Sequence, residues 1–202
     1  MPLLELITIL DLTGTFVFAL SGALVASKKD MDILGSLVLA VVTAAGGGTL
    51  RSMLIGDLPV PFLKDPLYLI LCILAVLVVF CFKSHLHKLE KPIIILDAIG
   101  LGIFVSIGIS VALGKDMNWW ASLLMGIITG SFGGVIRDVL SNEIPLIFQK
   151  EIYATACLAG GLLFLLLTKL NLQSELVVYL SALLVFAVRL VAVKYKWDLP
   201  KC

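Results

Sequence analysis

This chain repeats itself, and the second copy begins 86 residues after the first (137 − 51). Gly47-Gly48-Thr49-Leu50-Arg51 returns as Gly133-Gly134-Val135-Ile136-Arg137, in a register that runs without a gap from Leu10/Leu96 to Lys64/Lys150. Roughly 20 of these 55 paired positions are identical, and self-similarity on this scale constrains a fold more than any local propensity. Each copy holds three apolar spans. Three crossings end on the far side of the membrane, so the second copy must insert upside down relative to the first. Inverted repeats of this kind are a common plan for membrane transport proteins.

The composition leaves no other solvent. Of 202 residues, 60% are hydrophobic and 14% charged, with mean hydropathy +1.12, whereas soluble domains carry about 25% charged residues. At about 20 residues per crossing there is room for seven spans and one compact membrane domain. A net charge of +1 gives no reason to expect a nucleic-acid partner. Cys72, Cys81 and Cys157 lie in apolar runs, where cysteine packs as a small hydrophobe. No Cys/His spacing suggests a metal site or a disulfide framework, and no cofactor is expected. Cys202 has no C-terminal lipidation pattern. The N-terminus lacks the basic region and cleavage site of a removed signal, so it reads as a retained first span.

We place spans at 3–27, 32–56, 66–82, 93–114, 118–141, 150–168 and 175–195. The expected fold is an all-α polytopic membrane protein of seven transmembrane helices: two inverted three-helix repeats plus one extra helix. Residues 1–82 form the first repeat, 83–92 a cytoplasmic linker, 93–170 the second repeat, and 171–202 the seventh helix and tail. The linker carries His85 and His87 among lysines and reads as a loop drawn to anionic headgroups rather than a metal site. Trp119 and Trp120 read as an interfacial belt. With the N-terminus outside, ten basic residues fall inside: Lys28, Lys29, Lys83, Lys88, Lys91, Arg137, Lys150, Lys194, Lys196 and Lys201. Four fall outside (Arg51, Lys64, Lys115 and Lys169), which favours N-out, C-in.

Polar and glycine-rich positions inside the spans carry the functional signal. Gly46, Gly47 and Gly48 sit in mid-span, as do Gly133 and Gly134, and each interior glycine costs a helix about 1 kcal/mol relative to alanine. We read spans two and five as broken there, with freed backbone lining a cavity; close helix packing is the competing use of the same glycines. Thr43, Gly47 and Arg51 fall on one helical stripe, as do Thr129, Gly133 and Arg137. An arginine at membrane depth must face water or a partner, and the alternative is a side chain snorkelling to the interface. Asp138 follows Arg137, whereas Ser52 follows Arg51. Asp11, Asp97, Asp138 and freed carbonyls are the expected partners, with helix capping the competing role for Asp11 and Asp97. A third stripe, Gly14/Phe18/Gly22/Ala26, recurs identically as Gly100/Phe104/Gly108/Ala112 and reads as helix packing.

At the two Gly-Gly-x-x-Arg sites the chain resembles the trimeric intracellular cation (TRIC) channel family, in its prokaryotic branch. Asp65-Pro66-Leu67-Tyr68 and Glu151-Ile152-Tyr153-Ala154 add to that resemblance. It implies a homotrimer in a prokaryotic inner membrane, each protomer enclosing its own pore and passing potassium and, less selectively, sodium. The family commonly has aspartate after both arginines, so Ser52 departs from its pattern; the second copy also has Phe132 where the first has Gly46, so the two breaks need not be equivalent.

Together these features give a potassium-permeable channel, not an enzyme: no HExxH, Ser/His pair within spans or catalytic carboxylate spacing is present. The expected pathway comprises Thr43, Gly46, Gly47, Gly48, Arg51, Thr129, Ser131, Gly133, Gly134, Arg137 and Asp138. Glycines would form bends, Thr43, Thr129 and Ser131 would offer oxygens, and the charged residues would set the field or latch a gate. Membrane lipid is the expected surrounding partner. The rival is a secondary transporter of a small metabolite such as an amino acid, in which arginine would hold a substrate carboxylate.

Overall fold

The computed structural model describes residues 3–86, 90–149 and 152–195. Every regular element among them is helical, as a bilayer requires of backbone that must satisfy its own hydrogen bonds. The order is α1 (Leu3–Lys28), α2 (Ile33–Ile55), α3 (Pro61–Lys64), α4 (Leu67–Leu86), α5 (Glu90–Leu113), α6 (Trp119–Leu140), α7 (Leu146–Gln149), α8 (Ile152–Lys169) and α9 (Ser174–Tyr195). α3 and α7 are single turns. Helices α1, α2, α6, α8 and α9 and residues 92–113 of α5 are long and apolar enough to cross a membrane, while the apolar stretch in α4, Leu67–Phe82, is shorter. Of the linker read over 83–92, residues 87–89, with His87, lie outside the described residues, as do the side chain of His85 and Cys202.

Local signals repeat with the sequence. Asp32 caps α2 by accepting from the Gly35 amide at 2.6 Å, and Asn118 caps α6 through the Ala121 amide at 3.0 Å. The turns before these caps place Asp30 (φ 52°) and Asp116 (φ 55°) in the left-handed region. After the helices, Gly56 (φ 71°) and Asn142 (φ 57°) take up left-handed backbone, the two residue types that tolerate it best.

Glycine ridges hold the bundle together. Gly22 seats α2 against α1: a Cβ there would lie 2.7 Å from the Leu39 carbonyl oxygen. Gly108 does the same for α6 on α5, 2.7 Å from the Met125 carbonyl oxygen. Between the repeats, Gly14 faces Phe104 while Gly100 faces Phe18, and the two rings meet with centroids 5.2 Å apart. At the centre, a Cβ on Gly47 would collide with the Thr129 carbonyl, and one on Gly133 with the Thr43 carbonyl. These contacts are reciprocal between the two repeats, as a pseudo-two-fold relation between them requires.

This geometry corrects the expected breaks. α2 and α6 are uninterrupted helices through Gly46–Gly48 and Gly133–Gly134. Without side chains, Gly47 and Gly133 let two backbones touch, and the dispersion attraction between them outweighs the propensity cost. Gly46 packs on Ile136, whereas a Cβ on Gly48 would meet nothing within 4 Å. The Gly14/Gly100 stripes pack helices as expected.

One core cluster joins α1, α2, α4 and α5 around Phe18, Ala40, Cys72 and Phe104. A second joins α5, α6, α8 and α9 around Leu101, Val105, Tyr153 and Val178 and takes in Leu6 of α1, and a small third gathers Val25, Ala26 and Leu39. α9 docks mainly on the second repeat because Gly102 admits the Ala182 carbonyl and Gly160 admits Val185. The position equivalent to Gly102 in the first repeat is Phe16, a large side chain where the second repeat has none.

Two exposed ion pairs cross between repeats at related positions. Lys29 pairs with Glu143, and Lys115 pairs with Asp57 at 3.3 Å. The Lys29 ammonium holds the Glu143 carboxyl below its ordinary range. A depressed carboxyl contributes stability above its unfolded value and loses it as pH falls through the folded one. Carboxyl NMR of Glu143 is expected to titrate below the ordinary glutamate value of about 4.3, and Lys29→Ala to restore it. A second expectation concerns the crossing. Gly47→Ala should lower stability in detergent unfolding by about 1–3 kcal/mol or more, whereas Gly48→Ala should raise it by about 0.5–1 kcal/mol.

Candidate functional site

Arg51 and Arg137 end the same stripe in the two repeats, yet their surroundings differ. Both side chains are buried, at 3% and 1% exposure, so neither snorkels to the interface. Arg137 is fully engaged. Its Nη1 donates to Asp97 Oδ1 at 2.8 Å and to Ser21 Oγ at 2.6 Å, and its Nε donates to Asp138 Oδ1 at 2.8 Å. Asp138 in turn accepts from the Leu146 amide at 3.0 Å, tying the arginine to the start of α7. Behind the cluster, Tyr153 is buried beneath Arg189 of α9, whose guanidinium carbon sits 4.6 Å from the ring centroid.

Arg51 has none of these anchors. Its Nε and Nη1 have no hydrogen-bond partner, and the neighbouring Ser52 Oγ is equally unpartnered and buried. Each difference traces to one residue. Ser52 stands where Arg137 has Asp138, and Ile107 stands where it has Ser21. The third equivalent, Asp11, accepts a hydrogen bond from the Tyr68 hydroxyl instead. Asp11, Asp57 and Tyr68 still supply the surrounding field. Arg51 lines a cavity of about 300 Å³ including its mouth, bounded also by Asp11, Thr15, Gly48, Thr49 and Tyr68. The unfilled space beside Gly48 belongs to this cavity.

The expected site residues therefore separate into three places. Gly48, Arg51 and Asp11 line the first-repeat cavity. Arg137, Asp138 and Asp97 form the second-repeat cluster, with Gly134 against Asp97 and Tyr153. Thr43, Gly46, Gly47 and Gly133 lie along the α2–α6 crossing, with Thr129 facing Gly47. The hydroxyls expected to offer ligands are turned inward: Thr43 donates to Leu39 O at 2.6 Å, Thr129 to Met125 O at 2.5 Å and Ser131 to Ile127 O at 2.7 Å. Asp11 and Asp97 lie well inside α1 and α5, so neither caps a helix. Arg137 has its expected partners, but Arg51 Nε and Nη1 have none. Tyr68, Thr15, Ser21, Tyr153 and Arg189 join the expected residues at these sites. Arg189 carries a sequence signal, a basic residue within an apolar span; Tyr68 and Tyr153 lie in the segments that carry the family resemblance, and Thr15 and Ser21 have no signal beyond polarity.

The chain matches known proteins along nearly its whole length. A family model described as Glycine transporter matches residues 8–84 and again 94–169. The inner membrane protein YadS of Escherichia coli K12 is 40% identical over 193 residues, covering 95% of this chain and 93% of its own length. A solved structure described as "Structural basis for conductance through TRIC cation channels" superposes at TM-score 0.87 with 39% identity over 96% of each chain. The TRIC trimeric intracellular cation channel orthologue from Rhodobacter sphaeroides superposes at 0.89 with 34% identity, over 95% of this chain and 99% of that one. This chain belongs to the prokaryotic TRIC family.

Within the TRIC frame the two arginine clusters are one motif in two states of completion. Opening the complete one is costly, because removing a partner from a buried ion pair leaves an uncompensated charge, at about 3–5 kcal/mol. Asp97→Asn is expected to destabilise the folded protein by that amount. Asp11→Asn, which keeps an acceptor for Tyr68 and breaks no ion pair with arginine, should cost about 1 kcal/mol. Unfolding in mixed micelles, followed by helix signal, measures both.

Proposed function

We propose that the chain is a monovalent cation channel, permeable to potassium and sodium, with one pathway inside each subunit of a homotrimer. The observation that carries this reading is superposition over nearly the whole chain on structures described as TRIC cation channels, one in 0.5 M KCl at TM-score 0.90. The subunit sits in the inner membrane, as the name of the YadS relative has it. Seven crossings, counting α4, put the N-terminus outside and the C-terminus in the cytoplasm. With Arg51 and Arg137 buried, the lysine and arginine count becomes nine against three and keeps its sign. The pathway runs past Asp11, Thr15, Gly48 and Tyr68, where oxygens face open space, and narrows at the Thr43/Gly47–Thr129/Gly133 crossing. Gly46, Gly134, Ser131, Arg137 and Asp138 support it from behind. Asp11 and Thr15 offset the positive field of Arg51, which otherwise repels a cation.

A second reading, secondary transport of an amino acid, is favoured by one observation. The matching family model is described as Glycine transporter. Purified protein in planar bilayers separates the two. Under a potassium chloride gradient, ohmic unitary steps reversing near the potassium potential are expected. Saturable glycine flux without unitary steps would overturn the channel in favour of the transporter.

A further inference from the structure

We propose that Arg51 holds a small monovalent anion of halide size, with chloride the probe, in the cavity it shares with Asp11, Thr15, Gly48 and Tyr68. The two repeats supply the contrast. In the second repeat a buried arginine is matched by two carboxylates and a hydroxyl. In the first, the same arginine lacks the carboxylate at position 52 and the hydroxyl at position 107, and Tyr68 engages the remaining carboxylate.

Two guanidinium nitrogens of a side chain 3% exposed are thereby left without acceptors. A buried guanidinium with two donors unmet is unfavourable in a membrane interior even with the Asp11 carboxylate in the same cavity. What the chain does not supply covalently, solution can. The cavity interior takes only one or two water-sized particles, so a monatomic anion fits and a free amino acid does not. Asp11 also lines the cavity, but its hydrogen bond from Tyr68 partly occupies its charge. Placed there, the anion does for Arg51 what Asp138 does for Arg137, and removes a fixed positive charge from beside the pathway.

Binding is measured without flux, so the proposal stands apart from the channel reading. Full-length protein in detergent is melted at constant potassium, with chloride exchanged for gluconate. Chloride and bromide are expected to raise Tm saturably in wild type, and gluconate is not. In Arg51→Gln that halide-specific rise is expected to vanish. Ser52→Asp restores the carboxylate by covalent means; it is expected to fold, to melt at or above wild type in gluconate, and to lose the halide response.

No rise in wild type, or an equal rise in Arg51→Gln, overturns the proposal. Should Arg51→Gln fail to fold, Ser52→Asp decides alone, and a full halide response in it overturns the proposal too. Bromide-soaked crystals are expected to give an anomalous peak beside the Arg51 guanidinium; peaks only elsewhere count against it. Glycine raising Tm where chloride does not would overturn it and make the cavity a zwitterion site. Absence of unitary currents would sink the channel reading and leave these melting shifts untouched.

Discussion

Everything in this subunit leans on one contact, the crossing where Gly47 meets the Thr129 carbonyl and Gly133 meets the Thr43 carbonyl. Between helices in lipid the hydrophobic effect is spent, and association depends on how closely backbones approach. Two glycines at this crossing bring α2 and α6 together at the molecular centre. From there Gly22 and Gly108 seat each repeat's first helix, and Gly14 and Gly100 seat the repeats on each other. The arginines lie one turn beyond the crossing, which fixes their depth. They are buried because the crossing is tight.

Symmetry then sets up a comparison the protein makes internally. Two halves of one design carry the same arginine, the same aspartate 40 positions before it (51 − 11 and 137 − 97) and the same glycine. A few substitutions suffice to make one half closed and the other open. Where Asp138, Ser21 and Asp97 converge, the guanidinium has acceptors and is tied through Leu146 to the next element. Where Ser52 and Ile107 replace two of those groups, donors are left over and space opens beside Gly48. Chemistry that needs a mobile partner belongs on the open side.

Much of this is legible in the chain. Repeat register, helical spans, the packing role of Gly14 and Gly100, and the Ser52/Asp138 difference can all be read from residue spacing. The fate of the glycine run cannot. Glycine in mid-helix is equally compatible with a break and with a close crossing, and only the partner backbone decides. Hydroxyls are ambiguous for a related reason: Thr43, Thr129 and Ser131 satisfy themselves on carbonyls one turn back, a choice local sequence does not disclose. Arg189 shows in the sequence as a basic residue within an apolar span, but its burial on Tyr153 depends on a helix outside the repeat.

The berth for α9 has a consequence of its own. The two halves meet through reciprocal contacts, Gly47 on Thr129 and Gly133 on Thr43. Glycine at 102 and phenylalanine at 16 distinguish them, because the Ala182 carbonyl of α9 lies where a side chain on residue 102 would collide. The halves thus differ at the berth of α9 as well as around their arginines. Every later difference between the two membrane faces can accumulate behind that first asymmetry.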